Sequence, residues 1–143
     1  MKKNNIDRFN TLTGLLLARL YETFPRYYIV EFDSFGEDLL DKDELEGAFG
    51  WDEFVRHSIT WLGDAGYVWL EPGGMSQDSV SLRLSPSGLE LLKSTPDALK
   101  STEPLGERLK RFAKDRAADA MKEVVSQMLS FGIMVITQKI QAP

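Results

Sequence analysis

Few folds accommodate the run FVRHSITWLGDAGYVWL at positions 54–70 followed by SVSLRLSPSGLELL at 79–92. Val55, Ile59 and Leu62 recur at helical spacing, and Phe54, Trp61 and Ala65 widen the same apolar face. That pattern predicts a helix over 51–65 with one side buried. Gly66 suits the left-handed residue that closes a helix. Tyr67-Val68-Trp69-Leu70 then reads as a strand. Neighbours on a strand face opposite ways, so Val68 and Trp69 divide between core and surface, and Trp69 is the expected surface anchor. Pro72-Gly73-Gly74 opens a turn-rich loop running to Asp78. Positions 79–84, SVSLRL, alternate polar and apolar as a half-buried strand does. Ser85-Pro86 joins a capping serine to proline at the first helical position, which starts a helix over 86–93.

The flanking segments follow the same logic. Phe9, Leu12, Leu16, Leu17, Leu20 and Phe24 are spaced by threes and fours, predicting an amphipathic helix over 6–24 that Pro25 stops. YYIVEF at 27–32 is rich in strand formers. Ser34-Phe35-Gly36 reads as a turn, and a short acidic helix is expected over 38–49. DALKSTEP at 97–104 is linker-like. Beyond it, 105–139 reads as one long helix or two, with Gly132 as a possible kink. A seam of Met121, Val124, Val125, Met128, Phe131 and Val135 runs down that segment and needs a cover.

The helix–glycine–strand pattern of Ile59, Leu62, Gly66, Tyr67 and Val68, followed by Leu84-Ser85-Pro86-Ser87-Gly88, resembles the winged helix-turn-helix superfamily of bacterial regulators. The resemblance spans about residues 6–94. It implies an α+β fold with a winged-helix domain over 1–96, a linker over 97–104 and a C-terminal helical extension over 105–143. The extension looks like the tails of small bacterial and phage-associated proteins. Folded back, its seam would complete the domain core; paired across a two-fold axis, it would make a homodimer. The resemblance favours pairing.

The resemblance also implies that the helix over 51–65 enters the DNA major groove. Its charge argues otherwise. The exposed positions would be Asp52, Glu53, Arg56, His57, Thr60 and Asp64, and the hairpin adds only Arg83. DNA affinity comes mainly from Lys and Arg on phosphates. The net charge is −5, and between Glu31 and Glu53 ten acids stand against Lys42 alone, so this block carries −9 and the rest of the chain +4. Such a block repels nucleic acid and suits a basic protein partner. The expected partner face is Asp38, Asp41, Asp43, Glu44 and Glu46. A protein-interaction module is the first expectation, with an antitoxin- or immunity-like role against a basic partner. A dimeric DNA-binding regulator is the alternative, using Arg56, His57, Thr60 and Arg83 with the basic run Arg108, Lys110, Arg111 and Lys114.

No chemistry-bearing constellation accompanies these surfaces. Cysteine is absent and His57 is the single histidine, so neither a thiol nucleophile nor a His-centred acid–base pair is available. Counted from Asp41, the calcium-loop positions five and six are Leu45 and Glu46 rather than a ligand and glycine, so DKDELEG does not fit an EF-hand. Gly73-Gly74 lacks the Lys-Ser/Thr of a phosphate cradle. The expectation is a non-enzyme with no cofactor. MKKNNIDRF has no apolar run behind its lysines, and no window reaches the length of a bilayer span. A cytoplasmic protein is expected.

Overall fold

The computed structural model describes residues 4–37, 39, 50–95 and 102–141, with 131–141 as backbone alone. The architecture is mixed α+β. It comprises α1 (Asn5–Thr23), β1 (Tyr28–Glu31), α2 (Trp51–Asp64), β2 (Val68–Met75), β3 (Ser79–Leu84), α3 (Pro86–Lys93), α4 (Leu105–Asp115) and α5 (Ala118–Gln141). The expected acidic helix over 38–49 lies outside the described residues, apart from Leu39.

The strands form one antiparallel sheet in the order β1–β3–β2. Val30 stands opposite Val80 and Tyr28 opposite Leu82, while Val68 and Leu70 stand opposite Leu84 and Leu82. One face of the sheet therefore carries Val30, Val68, Val80, Leu82 and Leu84 into the core, where each is almost wholly buried. Pairing between β2 and β3 is interrupted between Leu70 and Met75. Glu71-Pro72-Gly73-Gly74 bulges there, with Gly73 at φ +73°. The strand resumes at Met75, so the segment expected to be all loop is a bulged strand that ends in a short turn. Ser76 holds that turn: its Oγ accepts the Asp78 and Ser79 N–H groups at 3.2 and 3.1 Å.

Local signals placed the helix ends well. The Asn4 side chain caps α1 by accepting the Asp7 N–H at 2.8 Å. Gly66, at φ +92°, follows α2, and its neighbour Tyr67 donates its N–H to the Leu62 carbonyl at 3.0 Å. Ser85 caps α3 through the Gly88 N–H at 2.9 Å. The C-terminal segment is two helices, and the break falls at Arg116, a left-handed residue at φ 56°. Gly132 sits inside the continuous backbone of α5.

The expectation for α1 was a single buried face. Instead Asn10 to Ala18 are buried all round, polar Asn10, Thr11 and Thr13 included. The reason is that α2 and the sheet cover one side while α4 and α5 cover the other. Gly14 makes the closest approach possible: a Cβ there would lie 2.3 Å from Met121 Cγ and 2.9 Å from a Val125 methyl. The buried residues of α4 and α5 belong to the same cluster as those of α1, α2 and the sheet. The Tyr67 hydroxyl donates to the Leu129 carbonyl at 3.2 Å, tying the start of β2 to α5. Among the described residues, no helix is long and apolar enough to cross a membrane.

Candidate functional site

On the outer face of α2, Glu53, Arg56 and His57 are engaged with one another. Residues three and four apart on a helix are neighbours. Glu53 uses that spacing twice: Arg56 Nη2 donates to its Oε1, and His57 Nε2 lies 3.2 Å from its Oε2. The Arg56 hydrogen bond, outweighing the opposing effect of burial, holds the Glu53 carboxyl below the usual carboxylate range. In return Glu53, by hydrogen bond first and charge second, holds the Arg56 guanidinium above its ordinary value. Thr60 is exposed, but its hydroxyl donates back to the Arg56 carbonyl at 3.0 Å. Asp52 and Asp64 at the ends of α2 are exposed. The face thus displays acids, and both of its basic groups lean on one carboxylate.

Beside this cluster lies an apolar cavity of about 400 Å³ between α2 and the first turns of α1. Ile6 and Phe9 come from α1; Phe54, His57, Ser58 and Trp61 come from α2. Trp61 meets the Phe9 ring edge-on, with centroids 5.3 Å apart and planes at 86°, a geometry that aromatic quadrupoles favour. Trp61 remains 47% exposed and Ile6 70% exposed. The expectation that Trp61 widens the buried face of α2 is corrected here. It lies at the edge of that face, where Phe9 from the first turns of α1 covers it only in part. Residue pattern could have marked Trp61 as apolar at a boundary position. It could not have marked Ile6, because only the packing of α1 against α2 brings the two together.

The other expected residues are dispersed. Asp38, Asp41, Asp43, Glu44 and Glu46 lie outside the described residues. Arg83 stands on the solvent side of β3, its guanidinium 4.4 Å from the centre of the Tyr27 ring. Trp69 pairs across from it and is 51% exposed, while Val68 is buried. Arg108, Lys110, Arg111 and Lys114 lie on α4, away from α2. Arg111 is paired with Glu103, and Lys110 lies 3.7 Å from Glu107. Arg108 is half-buried, with its guanidinium 5.9 Å from the centre of the Phe112 ring. Lys110, Arg111 and Lys114 border a separate cavity shared with Arg19 and Glu22 of α1. The supposed DNA residues therefore do not form one surface.

The dimer seam needs correction as well. Met121, Val125 and Met128 are completely buried and Val124 nearly so within a single chain. α1 is the cover this seam was expected to find in a second copy. The side chains of Phe131 and Val135 lie outside the described side chains. Among the described residues, no three of His, Cys, Asp or Glu gather to hold a metal ion.

The chain matches no family model, no curated protein and no solved structure.

Proposed function

We propose that this chain is a non-catalytic winged-helix module that binds a basic protein segment on the α2 face, in an antitoxin- or immunity-like manner. The succession of elements and the strand order β1–β3–β2 support the winged-helix reading, with α2 in the place of the recognition helix and the β2–β3 hairpin as the wing. The observation that carries the function is the make-up of α2. Arg56 and His57 are turned onto Glu53, and beside them is an apolar cavity rather than a basic groove. Interfaces concentrate their energy in a few buried aromatic and apolar anchors ringed by polar groups. Ile6, Phe9 and Trp61 offer the seat for such an anchor, and Glu53, 3.2 Å from the lining residue His57, offers a carboxylate beside it. The fitting partner presents an apolar side chain flanked by Lys or Arg. DNA binding through Arg56, His57, Thr60 and Arg83 has weaker support, because three of these groups already lie against Glu53 or Tyr27.

A defined probe tests the reading. Replacing Trp69 by Phe leaves Trp61 as the exposed indole; a leucine–lysine amphipathic peptide is then titrated while tryptophan emission is followed. The expected result is saturable binding with a blue shift, lost in Ile6→Asp and weakened in Glu53→Gln. Binding that survives Ile6→Asp unchanged, or no binding at all, would remove the cavity from the account.

A further inference from the structure

The sheet has two edges, and they are unlike. β2 is broken by the Pro72-Gly73-Gly74 bulge. β1 has no bulge, proline or lysine between Tyr28 and Glu31, and pairs in unbroken register with β3. Bulges, prolines and lysines are among the devices that keep an edge strand from pairing with another chain, and β1, four residues long, has none of these three. In their place β1 exposes Ile29, 64% accessible.

The direction of the backbone groups can be worked out. The Phe32 N–H donates to the Asp78 carbonyl at 2.9 Å. Hydrogen-bonding direction alternates along an antiparallel ladder. Tyr28, Val30 and Phe32 therefore point their backbone groups at β3, and Tyr27, Ile29 and Glu31 point theirs away. The Glu31 carbonyl is used within the turn that follows, by the Ser34 and Phe35 N–H groups at 3.4 and 3.0 Å. Among the described residues, no strand lies on the outward side. Two cavities of about 500 and 540 Å³ run along β1 and share Tyr28 and Ile29.

We infer that β1 pairs with β1 of a second copy, antiparallel about a two-fold axis through Ile29, so that two three-stranded sheets become one. This register sets Ile29 against Ile29 of the second copy, each donating its N–H to the other's carbonyl. It also sets Glu31 against Tyr27, where the Glu31 N–H reaches the Tyr27 carbonyl in both directions. Charge selects this occupant. Arg83 lies over the Tyr27 ring on the same solvent face. Glu31 of each copy, exposed in the single chain, is thereby brought beside Arg83 of the other, and the contact occurs twice. The acidic end of the strand, Glu31 and Asp33, meets the basic end, Arg26 and Arg83. A two-fold interface is self-complementary in this sense, and the Arg83 guanidinium, lying over the Tyr27 ring that Glu31 of the other copy faces, is within reach of that carboxylate across the seam. No residue of α2 lines either cavity along β1, so the pairing is independent of the α2 face.

Sedimentation equilibrium of the full chain over a wide concentration range reads the result. The wild type is expected to pass from monomer to dimer. Ile29→Lys, which places like charges opposite each other, is expected to weaken the dimer about tenfold or more. Glu31→Arg weakens it by removing the ion pair, and Glu31→Arg with Arg83→Glu restores it. Unfolding curves on the same samples establish that each variant folds. If Ile29→Lys does not fold, the Glu31 and Arg83 exchange decides alone. A wild type that stays monomeric at the highest concentration overturns the inference. So does a dimer indifferent to Ile29→Lys, or a double exchange that fails to restore association.

Discussion

The junction of α2, β2 and α3 rests on four residues, Gly66, Tyr67, Ser85 and Gly88, with tightly matched demands. The Ser85 hydroxyl accepts the Gly88 N–H at 2.9 Å and donates to the Gly66 carbonyl at 2.6 Å, while the Ser85 N–H donates to the Tyr67 carbonyl at 3.2 Å. A Cβ on Gly88 would stand 2.1 Å from that Tyr67 carbonyl oxygen, a clash with backbone that a side-chain rotation cannot relieve. Gly88→Ala is expected to cost about 3 kcal/mol, at the upper end of overpacking penalties. Urea unfolding would measure it, and a loss well below 1 kcal/mol would mean that α3 can shift from the strand. Tyr67 has a second signature. Burial pushes its hydroxyl above the ordinary tyrosine pKa, so the folded state keeps a proton that the unfolded chain gives up. The raised folded value contributes stability that is complete below the unfolded pKa and is lost as pH rises from about 10 upward. Tyr67→Phe should flatten that alkaline loss and cost about 1 kcal/mol at neutral pH for the bond to Leu129. An unchanged alkaline slope would contradict this role for Tyr67. Glu53 acts in the opposite sense. Its depressed carboxyl keeps the Arg56 contact above the unfolded carboxylate pKa and releases it as pH falls through the folded value, a small effect on a solvent-facing pair.

Among the elements, the terminal signals were legible in sequence because they are local chemistry. Ser85-Pro86 and the glycine after α2 each settle a boundary without reference to the rest of the chain. The alternation over 79–84 identified β3 to the residue. What did not read out was which surfaces meet. Periodicity shows that Met121, Val125 and Met128 need a cover, but one seam serves equally well within a chain and between chains. Gly14, the notch that lets α5 approach α1, carries no periodic signal at all. The same limit applies to the candidate site, where Arg56, His57 and Thr60 fell on the outer face of α2 as their positions dictate. Their mutual engagement through Glu53 and the cavity lined by Ile6 depended on rotamers and on α1. Because the seam is internal, Met121→Ala and Met128→Ala should each destabilise the fold by about 2–5 kcal/mol. Chemical unfolding should show that loss equally at low and high protein concentration. A loss that disappears at low concentration would return the seam to an interface between chains.

For the molecule as a whole, the division of charge is the dominant fact. Residues 31–53 carry −9 and the remainder +4, and two of the basic residues of α4, Lys110 and Arg111, lie against Glu107 and Glu103. On the proposed winged-helix reading, α2 presents an acidic and apolar face where a DNA-reading helix needs a basic one. The deciding measurement is titration of labelled mixed-sequence duplex DNA with the full-length protein at low salt, where phosphate contacts are strongest, and again as salt rises. The account predicts no saturable binding at low salt, and no difference between wild type and Arg56→Ala with Arg83→Ala. Saturable binding that falls steeply with salt, and is abolished by that double substitution, would contradict it and make α2 a DNA-reading helix.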